Sequence, residues 1–306
     1  MDNKERINLK DLFVSSLPFT GFPTSFEAAD YVVFGVPFDH TTSYLPGSRF
    51  APDEIRKASI NIETYYIDFD IAVEEIPIHD LGNLALSTAG NVNEMIDKVS
   101  FVVSELTKLN KIPVILGGEH LLTLGAVRGL KSTYGDEFAL VHFDAHFDLH
   151  DIFDNHKLNH ATVMRRILDE LDSANLIQIG IRAPSRDEYE FVKEKRIKCI
   201  YSSAFQNYFD RAIDILKSYL GVFDSIYITF DVDVFEPAFA PGVANPEPGG
   251  LTYHQLSSII DILTSKAKVI GLDIVEVNPL IERYVTPIYA AKILYDVIVR
   301  SYIRLP

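Results

Sequence analysis

Phe138-Ala139-Leu140-Val141-His142-Phe143 is a mostly apolar run that passes directly into Asp144-Ala145-His146-Phe147-Asp148. The run reads as a strand over 138–143, and the five residues after it place three metal-ligand side chains at alternate positions. Side chains at i, i+2 and i+4 of an extended segment lie on one side, whereas a helix fans them apart. A strand ending here would aim two carboxylates and an imidazole at one point. Oxygen-rich ligation mixed with imidazole suits a hard or borderline divalent ion better than it suits thiolate chemistry.

Outward from this stretch, short apolar runs alternate with longer amphipathic ones. The expected strands are Tyr31–Val36, Ile76–Asp80, Pro113–Leu116, Phe138–Phe143, Leu176–Gly180, Lys198–Tyr201, Ser225–Phe230 and Val269–Val275. Helices are expected between them, at Pro52–Ala58, Val92–Leu109, Leu122–Ser132, His160–Leu171, Asp187–Glu194, Phe209–Leu220, Tyr253–Thr264 and Pro287–Ser301. Pro52 and Pro287 fit a first helical turn, which tolerates a missing N–H. Asn91-Val92-Asn93-Glu94 has the spacing of a capping box. This alternation predicts a parallel sheet with helices outside it, and near-continuous apolar strands fit a sheet covered on both faces. Strand counting does not separate a closed barrel from an open doubly wound sheet. With no linker, repeat or low-complexity segment, residues 1–306 are expected to form a single domain, with 1–28 an N-terminal extension packing on or near it.

Hydrophobic residues at 47% and charged residues at 23% of 306 are ordinary for a globular chain with a sizeable core. The net charge of −15 and the lack of a dense Lys/Arg run argue against nucleic acid. An acidic surface fits a cationic small molecule, although solubility explains it equally well. The single cysteine, Cys199, excludes an internal disulfide and any multi-thiolate site, and its apolar flanks read as a buried structural thiol. Met1-Asp2-Asn3-Lys4-Glu5-Arg6 lacks the apolar core of a signal peptide, and no apolar stretch approaches the roughly 18 residues of a membrane span. The expected location is the cytoplasm, with no membrane partner.

Four polar clusters each follow an expected strand: Gly117-Gly118-Glu119-His120, the 144–148 motif, Asp231-Val232-Asp233, and Glu276. Ligands and catalytic groups of parallel α/β proteins gather at the carboxyl ends of strands, so the four can converge on one site. Each has a plainer reading: His120 as a helix cap, Asp-x-Asp as an N-cap or turn, Glu276 as a solvated loop carboxylate. The histidines shift the balance, because five of the nine (142, 146, 150, 156 and 160) crowd into nineteen residues. His120, Asp144, His146, Asp148, Asp231 and Asp233 make six ligand candidates, four of them carboxylates. A tetrahedral zinc site uses only three protein ligands and an open position. Six ligands suit a pair of ions about 3.5–4 Å apart holding a shared hydroxide as nucleophile. Oxygen-dominated ligation favours Mn²⁺ over Zn²⁺ or Cu²⁺.

These motifs, with Thr-Phe-Asp-Val-Asp-Val-Phe-Glu-Pro-Ala-Phe-Ala-Pro-Gly (229–242), Pro-Glu-Pro-Gly-Gly-Leu (246–251), Asp-Ile-Val-Glu-Val-Asn-Pro (273–279) and Pro-Gly-Ser-Arg-Phe-Ala-Pro (46–52), resemble the ureohydrolases, the arginase and agmatinase family. The resemblance runs from about Gly35 to the C-terminus. It implies a three-layer α/β/α sandwich around an eight-stranded parallel sheet, two Mn²⁺ per subunit, and a homotrimer or homohexamer. Carried over by position, His120, Asp144, Asp148 and Asp231 would hold one ion. His146, Asp144, Asp231 and Asp233 would hold the other, with Asp144 and Asp231 bridging. His160 falls at the position of the proton-shuttling histidine, and Glu276 at that of the carboxylate pairing with the substrate guanidinium; Asp148 would relay a proton to the leaving amine. Three positions depart from the family pattern: His160-Ala161-Thr162 replaces His-Gly-Thr, Glu236-Pro237 replaces Asp-Pro, and Asn245 replaces a common Thr.

The substrate tail is read from the loop Leu149–Asn159, which has no Ser or Thr and carries Asp151 and Asp154. With Glu247, these carboxylates would suit a bare amine and repel a carboxylate, while Asn155, Lys157 and Asn159 could meet an anion. The balance favours agmatine, giving the reaction agmatine plus water to putrescine and urea. Arginine or guanidinobutyrate hydrolysis is the nearest alternative. A mononuclear deacetylase-like zinc amidohydrolase and a non-enzymatic binding protein are more distant ones, and each would be expected to lack ligands that this chain retains.

Overall fold

The computed structural model describes residues 9–87 and 91–304. The first eight residues, which include the segment read as lacking a leader core, lie outside the described ones. In chain order the strands are β1 (Phe13–Val14), β2 (Tyr31–Gly35), β3 (Tyr65–Tyr66), β4 (Ile71–Ala72), β5 (Ile78–Leu84), β6 (Ile112–Leu116), β7 (Ala139–Phe143), β8 (Leu176–Ile179), β9 (Lys198–Ile200), β10 (Ser225–Asp231) and β11 (Lys268–Val275). The α-helices are α1 (Ala51–Ser59), α2 (Val92–Lys108), α3 (Leu122–Tyr134), α4 (Val163–Ile167), α5 (Arg186–Lys195), α6 (Ser202–Asn207), α7 (Phe209–Leu220), α8 (Tyr253–Lys266) and α9 (Val285–Tyr302).

Nine strands form one open sheet in the order β1-β5-β2-β6-β11-β10-β7-β8-β9, while β3 and β4 pair as a separate small hairpin. All eight expected strands are present in the main sheet and run parallel. The ninth, β1, corrects the all-parallel eight-stranded expectation: it lies antiparallel along the edge, with Phe13 opposite Leu84. A two-residue strand has no readable period, and the antiparallel pairing covers an otherwise open edge.

Alternation within each strand feeds two apolar layers. Tyr31 and Val33 of β2 and Val141 and Phe143 of β7 enter the core shared with α1, α7, α8 and α9. Their neighbours Val32, Phe34 and Leu140 enter the other core, with α2, α3 and α4. Both faces are covered, which is why the central strands carry no solvent-facing polar stripe. The result is a three-layer α/β/α sandwich.

Two helical expectations are corrected. The helix expected over His160–Leu171 is a 3₁₀ turn at His160–Thr162 followed by α4, which ends at Ile167. At Asn91 the side chain accepts the Asn93 N–H, but Glu94 turns away to Ser87 and Lys98, so the capping box is half made. No helix among the described residues is long and apolar enough to cross a membrane.

Candidate metal centre and active-site cleft

The central strands β6, β7, β10 and β11 end side by side, and the residues that follow them share one buried space. His120, Asp144 and Asp148 are buried, as are Asp231 and Asp233, while His146 is partly open. The reason Asp144, His146 and Asp148 converge is not the pleat that their spacing suggests. β7 stops at Phe143, and the chain then bends, with Asp148 in left-handed backbone at φ 54. Glu276, just past β11, is left-handed too, at φ 63.

Two donor groups emerge. His120 Nδ1 lies 3.3 Å from Asp144 Oδ2, 3.2 Å from Asp148 Oδ2 and 3.5 Å from Asp231 Oδ2. His146 Nδ1 lies 3.4 Å from Asp144 Oδ1 and 2.9 Å from Asp233 Oδ2. The two oxygens of Asp144 therefore face different histidines, which places its carboxylate between the groups. Asp231 also serves the plainer role read from sequence, since its Oδ1 accepts the Asp233 N–H at 2.9 Å.

Several observations fit a cation here. His120 Nδ1 is buried and has no hydrogen-bond partner, which is costly unless a ligand takes its lone pair. Its spacing to the three carboxylate oxygens is close to the roughly 3 Å edge of an octahedron with bonds of about 2.1 Å. The carboxylates are also short of positive charge. Burial and the neighbouring Asp144 push Asp148 up to about 7, burial and Asp233 push Asp231 well up, and burial and Glu119 push Glu276 up to about 8.

A second ring of residues, missed from sequence, fixes these groups. His120 Nε2 is 3.0 Å from Thr229 Oγ1, and that hydroxyl donates to Asp273 Oδ1 at 2.6 Å. Thr123 and Tyr227 also donate to Asp273 Oδ2, at 3.0 and 2.6 Å. Because Thr229 gives its proton to the carboxylate, it accepts from His120 Nε2–H, and in the neutral ring that a cation requires Nδ1 is left bare. His142 is set similarly. Gln178 Nε2 donates to the Phe147 carbonyl and to His142 Nδ1, so His142 gives its Nε2–H to Asp144 Oδ2 at 2.8 Å. The available signal was a polar residue inside an apolar strand, as with Asp273 between Leu272 and Ile274.

Above the centre lies a cleft of about 590 Å³, lined among others by Ser43, His146, Asp148, His160, Glu188, Glu247 and Glu276. Burial holds His160 down to about 4, so its imidazole is neutral. The structure separates the three carboxylates read for the substrate tail. Glu247 lines the cleft, but Asp151 pairs with Arg166 at 2.6 Å on the surface, and neither it nor Asp154 borders the cleft. Asn155 and Lys157 do not border it either, and Asn159 caps the His160 turn instead. Missed in their place are His150 and the buried Glu188, 3.4 Å apart, together with Arg182. Arg182 donates to the Glu247 carbonyl from Nε and Nη2, at 3.0 and 2.8 Å, and to the Asp233 carbonyl from Nη2 at 2.5 Å. The Glu236 departure also has a structural role, because its Oε2 accepts the Gly249 and Gly250 N–H groups at 2.7 and 2.8 Å.

Comparison with known proteins agrees with this arrangement. The family model described as Arginase family matches residues 29–299. The N(1)-aminopropylagmatine ureohydrolase of Thermococcus kodakarensis is 38% identical, over 88% of this chain and 90% of that protein. The agmatinase of Bacillus anthracis is 35% identical, over 94% and 95%. Among solved structures, the agmatine ureohydrolase of Thermoplasma volcanium superposes with a TM-score of 0.86 at 38% identity, covering 94% of this chain and 95% of that one.

Proposed function

The chain belongs to the arginase family, and from that membership and the donor set above we propose that it is a ureohydrolase that converts agmatine and water to putrescine and urea. The observation that carries the reading is Asp144, one of whose oxygens faces His120 and the other His146. His120, Asp144, Asp148 and Asp231 would hold one divalent ion, and His146, Asp144, Asp231 and Asp233 the other. The bound pair, Mn²⁺ in this reading, supplies a water acidic enough to react near neutral pH and a positive field for the charge that develops.

The remaining work falls to the protein's own groups. A guanidinium is planar, delocalised and a poor electrophile, so it must be clamped in one orientation. Glu276 provides the anion for this; the His120 backbone N–H holds its Oε1 at 2.8 Å. As the water oxygen bonds to the guanidinium carbon, the C–N bond to the alkyl chain breaks, and Asp148 passes a proton of that water to the leaving amine. His160 at the cleft wall returns a proton from solvent. Toward the outer end, Glu247 and Glu188 offer negative charge to the ammonium of the substrate tail. The same cleft has room for a longer amine tail, and the Thermococcus relative is named for an aminopropyl-extended agmatine.

The reading extends to a cytoplasmic enzyme that feeds polyamine formation and assembles as a homotrimer or homohexamer. Its test is urea release by Mn²⁺-loaded protein across agmatine, N(1)-aminopropylagmatine, arginine and guanidinobutyrate. Turnover of arginine or guanidinobutyrate with agmatine left intact would sink the substrate assignment.

A further inference from the structure

Glu119, in the Gly117-Gly118-Glu119-His120 motif, has no part in the scheme above. It is fully buried, yet it neither lines the cleft nor belongs to a donor group. What it does hold is the segment Val36–Thr41, which crosses directly over the motif. Gly118 N–H donates to the Val36 carbonyl at 3.0 Å, and Glu119 N–H to the Phe38 carbonyl at 2.7 Å. The approach is so close that a Cβ on Gly118 would sit 1.9 Å from the Phe38 carbonyl oxygen. The side chain of Glu119 then takes both polar groups of Thr41: its Oε2 accepts the backbone N–H at 2.7 Å, and its Oε1 the hydroxyl at 2.6 Å.

Thr41 in turn holds His160. Its hydroxyl oxygen accepts the His160 backbone N–H at 2.9 Å, and its carbonyl accepts from His160 Nδ1 at 2.8 Å. A carbonyl only accepts, so Nδ1 carries the proton and Nε2 of the neutral ring is left with a lone pair. The Thr41 hydroxyl is thus used in both directions, donating to Glu119 and accepting from His160. Removing it would leave a buried carboxylate oxygen and the His160 N–H without their partner.

We propose that Glu119 and Thr41 are positioning residues for His160, fixing the tautomer and placement of its ring from the same strand end that carries His120. The metal centre and the proton-returning group are then held by one four-residue motif. This rests on the proton role of His160 given above. It differs from a purely structural role in what must change: proton delivery should fail while substrate and metal binding survive.

The experiment is steady-state kinetics with agmatine on Mn²⁺-loaded wild type, Thr41→Val, Thr41→Ser, Glu119→Gln and His160→Asn, with metal content by elemental analysis and with free imidazole added. Thr41→Val and Glu119→Gln should lower kcat about tenfold or more, within the range of lost acid–base help. Both should keep KM within about twofold and full metal content, and imidazole should restore part of the rate, as in His160→Asn. Thr41→Ser, which keeps the hydroxyl, should stay within about threefold of wild type. Wild-type kcat in both Thr41→Val and Glu119→Gln beside a slow His160→Asn would overturn the proposal. So would a loss of metal or a rise in KM that tracks kcat without imidazole rescue. A His160→Asn enzyme at full rate would instead remove the premise, the proton role itself, and the proposal with it.

Discussion

His120 gives its Nε2–H to Thr229 Oγ1 at 3.0 Å, and in the neutral ring this bond is what leaves Nδ1 bare among three carboxylates. Replacing Thr229 with Val keeps the shape and removes the acceptor. Metal affinity at the His120 site should fall about 10–100-fold with the fold unchanged, as for other outer partners of metal ligands. Titration of metal-free protein with Mn²⁺ checks this, and unchanged affinity would remove Thr229 from the site.

Asp144 faces both donor groups, whereas His146 faces one. Elemental analysis should therefore find two ions per chain in the wild type, one in His146→Asn and close to none in Asp144→Asn. Equal loss in the two variants would mean that the ions do not share Asp144.

Glu276 is distinct from the donor groups, so Glu276→Gln should keep both ions while kcat/KM for agmatine falls by at least about 10²-fold, the scale of a lost charged clamp. Loss of metal in this variant would return Glu276 to the ligand set.

The metal-free protein should grow less stable as pH rises from 6.5 to 8. Burial and Glu119 push Glu276 up to about 8. Burial opposes charge on His146, but Asp233 and Asp144 outweigh it and push it up to about 12. Both groups then bind more protons folded than unfolded across this window, so stability falls with pH. Divalent ions compete with those protons, and their stabilising effect should grow over the same range. Melting temperatures with and without chelator test both signs; a chelated protein that melts higher at pH 8 would contradict the first.

Arg56, fully buried, meets Asp80 through two bonds, Nε–Oδ2 at 2.8 Å and Nη2–Oδ1 at 2.9 Å, and so ties α1 to β5. Arg56→Ala should cost about 3–5 kcal/mol, because Asp80 keeps the Phe19 and Gly82 N–H groups but loses its buried counter-charge. A cost below about 1 kcal/mol in urea unfolding would show that water or a neighbour replaces the guanidinium.

The main sheet was legible because its strands are covered on both faces, which writes them as apolar runs between amphipathic helices; β1, at two residues, carries no such signal. The donor residues were legible because they follow strand ends in clusters. The reason given for their convergence was wrong in detail, since a bend after Phe143 rather than a continued pleat brings Asp148 round. Of the carboxylates read for the tail, only Glu247 borders the cleft. Loop side chains have no period, so nothing in 149–159 told that Asp151 would turn to Arg166, or that Glu188, far along the chain, would face the cleft.

Asp148 and Glu276 both sit in left-handed backbone, a conformation that glycine adopts freely and that costs other residues on the order of 1 kcal/mol or more. Laboratory evolution for heat resistance alone, with turnover left unscreened, would therefore draw both positions toward glycine. Under the roles proposed for them, the two carboxylates stand against the backbone's own preference, and a glycine at either one would mark a chain that keeps the fold while giving up the reaction.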